Sequence, residues 1–92
     1  MIEGKTKTGF KFKIDEMVAD DMELLDALID ADGGDPIKQM KGLNMILTKF
    51  LGEEQKKALY DHLRTEDGRI PVTKVSEATV EIMGATKKTK NS

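Results

Sequence analysis

The chain has no cysteine, no tryptophan, a single histidine and only four aromatic rings in 92 residues, at Phe10, Phe12, Phe50 and Tyr60. Without Cys there is no disulfide, no thiolate metal ligand and no cysteine nucleophile, which fits a reducing compartment. With so few rings, Leu, Ile, Val and Met must fill the core. No apolar run reaches the roughly 20 residues a helix needs to cross a bilayer, and no signal-type apolar segment stands at the N-terminus. The expectation is a cytoplasmic chain. Also missing are a phosphate-cradling glycine loop, a nucleophile elbow and an HExxH pair. The one histidine, His62, has no evident base partner or fellow ligands, and it reads as a structural imidazole at the edge of a helix, beside Gln55 and Leu59. An enzyme would have no residues to rest on, and no cofactor or metal is expected.

What is present is charge, unevenly placed. The net charge is −2, yet from Asp15 to Asp35 there are nine acidic residues and no Lys or Arg. Lys5, Lys7, Lys11 and Lys13 gather near the N-terminus, and Lys87, Lys88 and Lys90 near the C-terminus. A nucleic-acid binder needs one dominant basic face to neutralise phosphates. Basic residues split between two ends argue against it.

A length of this order holds one domain with a thin stability margin. Phe10, Phe12 and Ile14 alternate with Lys11 and Lys13, the period-two pattern of a half-buried strand over 10–14. Ile2, Gly4 and Thr6 supply its partner, with Thr8-Gly9 in the turn, and such a hairpin must pack on helices to be stable. After a turn at Asp15–Val18, a first helix is expected over about Asp20–Ala31. Val18, Met22, Leu24, Leu25, Leu28 and Ile29 fill about half its wheel, and Gly33-Gly34 stops it in the left-handed conformation. Asp35-Pro36 caps a second helix running to about Leu51, with Ile37, Met40, Leu43, Leu47, Phe50 and Leu51 on one arc. Gly42 lies inside it, at a cost of roughly 1 kcal/mol relative to Ala, as if to admit a close neighbour.

Gly52 breaks the run. Glu53-Glu54 then open a third helix with Leu59, Tyr60 and Leu63 as its stripe. Thr65–Arg69 is a turn around Gly68, and Ile70-Pro71-Val72 opens a fourth helix with Val72, Val75, Ala78, Thr79, Ile82 and Met83 inward and Gly84 as its end. The fold class is mainly α: about four helices with an N-terminal strand or hairpin, one domain over 1–85, and a mobile basic tail over 86–92.

Three constellations are candidates for chemistry or binding. Glu66-Asp67-Gly68-Arg69-Ile70 echoes the centre of a calcium loop, but with Gly68 at position six the first position is Leu63 and the twelfth Lys74. The turn at Asp30–Asp35 fails in the same way, with Leu28 first and Gln39 twelfth. Glu23, Asp26 and Asp30 form a carboxylate face that is simply solvated or, if functional, a landing surface for a basic partner. Among the six methionines, Met22, Met40 and Met83 fall in the expected buried stripes. Met45 instead sits on a face otherwise lined with Lys38, Lys41 and Lys49. With Ile46 and Val80 at its margin, this becomes the candidate partner-binding surface: Met45, Ile46, Lys38, Lys41 and Lys49.

From about Gly9 to Gly84 the chain resembles the small tail assembly chaperones of long-tailed, siphovirus-type bacteriophages. The resemblance rests on Gly9-Phe10-Lys11-Phe12-Lys13-Ile14-Asp15-Glu16, on the Asp-Asp-x-Glu-Leu-Leu of Asp20 to Leu25, and on Asp35-Pro36. Most specific is the block from Leu51-Gly52-Glu53-Glu54-Gln55-Lys56 to Arg69-Ile70-Pro71-Val72. Where the family often has an aromatic after the Asp-Asp pair, this chain has Met22. The resemblance implies a protein that binds the long, helical, apolar tape-measure protein and keeps it soluble until tail tube subunits displace it. It further implies work in the host cytoplasm, absence from the mature virion, and contact with the tube protein or with a longer, frameshifted form of the same chain. Self-association is left open. The alternative is a small phage regulatory protein that binds nucleic acid or a host protein.

Overall fold

The structure, a computed structural model, describes residues 1–90, with side chains described through Thr86. Two short strands, β1 (Ile2–Lys5) and β2 (Lys11–Ile14), form an antiparallel hairpin in the register Ile2↔Ile14, Gly4↔Phe12. Ile2, Phe12 and Ile14 point inward while Lys5, Lys11 and Lys13 point to solvent, as alternation requires. The buried Thr6 closes the turn, its hydroxyl accepting from the Phe10 amide at 3.2 Å.

Helix α1 (Met22–Asp32) begins at Asp21, whose carboxylate accepts from the Glu23 and Leu24 amides at 2.9 and 3.3 Å. Gly33 ends it in an extended conformation, φ −78° and ψ 177°, not the left-handed one expected. The Gly33 carbonyl instead accepts a hydrogen bond from the Gln39 side chain.

Helix α2 (Pro36–Leu63) starts as anticipated, with Asp35 capping the Ile37 amide at 2.9 Å and Pro36 in the first turn. It then absorbs the expected third helix. At Gly52 the backbone takes φ 75° and ψ 169°, so the element bends there while helix continues on both sides. Lys56 bridges the bend, donating to Asn44 and Thr48 before it and to Glu53 after it. Among the described residues the count is therefore three helices, not four. The third, α3 (Val72–Lys90), runs through Gly84 instead of stopping there; residues 91–92 of the expected tail lie outside the described part.

The core gathers around Ile14, Leu24, Leu47, Leu59 and Ile82, each fully enclosed. Helix α2 is the common partner: α1 and α3 both lean on it, the hairpin bridges it to α3, and α1 and α3 make little contact with each other. Gly42 lets α1 come close. A methyl group at Gly42 would stand 2.6 Å from the Ala27 carbonyl oxygen and 2.7 Å from the Ala31 amide nitrogen. The buried side of α1 is thus the small-residue side, Leu24, Ala27, Leu28 and Ala31. Met22, Leu25 and Ile29, expected inside, are 68%, 46% and 70% exposed. Ile37, Met40 and Val72, also expected inside, are exposed as well, all in the first turns of their helices.

Candidate partner-binding groove

The expected binding face does not assemble as one surface. Successive residues on a helix turn by 100°, so Met45 and Ile46 face different neighbours. Met45 stays partly exposed and lines a shallow groove with Lys41 of α2 and Glu23, Asp26 and Asp30 of α1. Ile46 is only 3% exposed and belongs to the core, on a different side of α2 from Met45. Lys38 is exposed. Lys49 is not a free cation: its ammonium sits 2.8 Å from Glu23 and 3.0 Å from Asp21. The hydrogen bond from Lys49 holds the Asp21 carboxyl below its usual pKa, and those from Glu23 and Asp21 raise that of Lys49. Its role is to pin the start of α1 to α2.

The other residues singled out by sequence turn out to be structural ties. His62 donates from Nε2 to the Thr8 carbonyl oxygen at 3.0 Å, because a carbonyl can only accept, and its ring tilts against Phe10 with centroids 5.7 Å apart. Asp67 folds back on its own turn, accepting from the Thr65 hydroxyl and the Arg69 amide. These bonds lower its pKa, the Thr65 contact most, while Gly68 supplies the positive φ of 86°. Gln55 reaches the hairpin and pairs with both backbone groups of Lys13, accepting from the amide at 2.8 Å and donating to the carbonyl at 2.9 Å.

What the fold leaves open is a groove between α2 and α3. One lobe, of ≈ 250 Å³, is lined by Met40, Leu43 and Asn44 of α2, by Tyr60 beyond the bend, and by Ile70, Val72 and Val75. A second lobe, of ≈ 500 Å³, is lined by Leu28, Ala31 and Asp32 of α1, by Leu43 and Ile46, and by Ser76, Thr79, Val80 and Met83 of α3. Leu43 lines both, so the two lobes adjoin at that side chain on the face of α2 and together form a trough. Its single charged side chain, Asp32, stands at one end. Inside it, the Thr79 hydroxyl is satisfied by the Val75 carbonyl at 2.7 Å. The surface is therefore apolar in effect, with flexible Met40 and Met83 at opposite ends able to adapt to an occupant.

Sequence reasoning placed Met40, Leu43, Val72 and Met83 in the core and missed that they rim a trough. The missing signal was geometric. Residues from α1, from both sides of the bend in α2 and from α3 meet in the trough, and no stretch of sequence shows such a meeting. Among the described residues no helix is long and apolar enough to cross a membrane. Comparison with known protein families, with curated proteins and with solved structures finds no match to this chain.

Proposed function

We propose that this protein is a non-enzymatic holder of an apolar helical segment: a tail assembly chaperone that keeps a tape-measure protein soluble in the host cytoplasm before the tail tube forms around it. The observation that carries the reading is the largely apolar trough between α2 and α3, with Asp32 its single charged side chain. A groove of this kind takes a helix by side chains at i, i+3 or i+4, and i+7. Two lobes meeting at Leu43 suit two successive anchors on one helix face.

The magnitudes suit a temporary hold. Each Leu-sized anchor contributes about 2 kcal/mol of burial, and the loss of translational and rotational freedom offsets much of that sum. Single contacts are then weak and displaceable, and strength comes from many copies along a long partner. The resemblance contributes the identity of that partner. Its most specific block, Leu51 to Val72, supplies Tyr60, Ile70 and Val72 of the trough wall.

The test is co-expression with the long, coiled, apolar protein encoded beside this chain, followed by affinity capture and sizing of the soluble fraction. Recovery of that protein in soluble form with many copies of this chain is expected. The double variant Val72→Gln/Val80→Gln alters two exposed residues and should fold normally yet lose the partner. A folded wild-type chain that neither binds nor solubilises it would end the chaperone reading. The outward lysines of the hairpin, Lys5, Lys11 and Lys13, favour the alternative of a nucleic-acid-binding regulator. That reading requires a DNA affinity that falls steeply with salt and discriminates between sequences.

A further inference from the structure

Opposite its buried side, α1 carries a second apolar stripe. Met22, Leu25 and Ile29 are exposed, and their spacing places them within about 60° of one another on the wheel. They form a seam about 10 Å long. Carboxylates border the seam, Asp26 and Asp30 on one side and Asp32 on the other. Among the described residues these three make no ion pair, whereas Asp21 and Glu23 are engaged by Lys49. Asp30 and Asp32 also fall in the last turn of α1, which holds no basic residue. Helix carbonyls already present negative charge there, so acidic side chains in that turn are unfavourable.

Lys41 of α2 shares a shallow groove with Asp26 and Asp30 but, among the described residues, pairs with neither. The apolar surface is thus bordered by carboxylates still open to a cation, and one kind of occupant fits it. A second copy that brought its own α1 would set carboxylate against carboxylate. Nucleic acid would be repelled outright. A basic amphipathic helix meets both needs: its apolar side chains cover the seam, while Lys stems lie across the margins and carry their ammonium groups to Asp26, Asp30 and Asp32.

We propose that the outer face of α1 is a second docking surface, meeting the α2–α3 trough at Asp32, for a partner helix with an apolar stripe flanked by Lys or Arg. It stands on α1 alone and holds whether or not the trough binds a tape-measure protein.

The experiment is fluorescence anisotropy of the intact protein with labelled synthetic helices of about 18 residues, long enough to be helical. The probe has Leu on one face and Lys on its flanks; one control replaces Lys by Glu, another replaces Leu by Ser. The Leu/Lys helix alone should bind, with an affinity that falls as salt rises. Leu25→Gln/Ile29→Gln should weaken it about tenfold or more. Asp26→Asn/Asp30→Asn should weaken it several-fold and flatten the salt dependence, and Val72→Gln/Val80→Gln should leave it unchanged. Equal binding of the Leu/Glu or the Ser/Lys helix would overturn the proposal. So would full affinity in the Leu25/Ile29 variant with native circular dichroism. A dimer in sedimentation that the same variant dissolves would assign the face to a second copy instead.

Discussion

At the scale of single residues, two glycines in α2 are required for opposite reasons. Gly42 is required by its surroundings. Gly42→Ala gains roughly 1 kcal/mol of helix propensity, but its methyl meets α1 backbone at 2.6 Å, which cannot swing aside as a side chain would. Overpacking of that kind outweighs the gain, and urea denaturation should show a net loss of about 1–2 kcal/mol. Gly52 is required by its own backbone. A methyl there would meet nothing within 4 Å, yet φ 75° with ψ 169° belongs to a region that L-residues avoid, so Gly52→Ala should lose about 1–3 kcal/mol. D-alanine, introduced at that position by chemical ligation, reverses the preference and should be at least as stable as the wild type. If the L and D variants melt alike, the bend is not what glycine is there for. The sequence already marks both positions, one as an admitted close approach and the other as a break; Gly84 inside α3 has neither a positive φ nor a close neighbour.

At the scale of elements, the joint between α1 and α2 rests on Lys49 with Asp21 and Glu23. The Asp21 pKa is lowered in the folded state and that of Lys49 raised. The Asp21 contribution is therefore present above its unfolded pKa of about 4 and lost as pH falls through the lower folded value. The Lys49 contribution is present below about 10.4 and lost as pH rises through the higher folded value. Lys49→Met should thus reduce stability by a constant amount between about pH 5 and pH 10, and the gap to wild type should close at both extremes. Denaturation curves across that range check it. The C-terminal turn of α1 gives the reverse case: Asp32→Lys places a cation at the negative helix end and should raise the thermal midpoint. Starts and turns are legible where the signal is local, as Asp35-Pro36 and the Thr65–Arg69 turn illustrate, whereas the ends expected at Gly52 and Gly84 are run through. Which side of α1 is inward was not legible. Leu24 and Leu25 read alike on a wheel, and only the small pair Ala27 and Ala31, facing Gly42, decides between them. The face chosen from Met45 and Ile46 failed similarly, since adjacent residues were asked to share a surface that helix geometry divides.

At the scale of the whole molecule, the arrangement of three helices and a hairpin around α2 puts an apolar trough on one side and an acidic, apolar-seamed helix on another. The variant Val72→Gln/Val80→Gln should leave thermal stability within about 0.5 kcal/mol of wild type while removing partner retention, a split that a general loss of folding would not produce. No single segment announces the trough. It arises where two helices that each read as half buried meet, so it becomes visible only when their relative placement is known. The Gln55 clamp adds a constraint of a different sort. By taking up the amide and carbonyl that β2 turns outward at Lys13, it leaves β2 without a continuous edge for another chain to extend. Growth of a shared sheet, the route by which small strands template one another into fibrils, is closed at that strand. Contacts that avoid that strand fall largely to side chains on helical faces, where a single substitution can tune or forbid them.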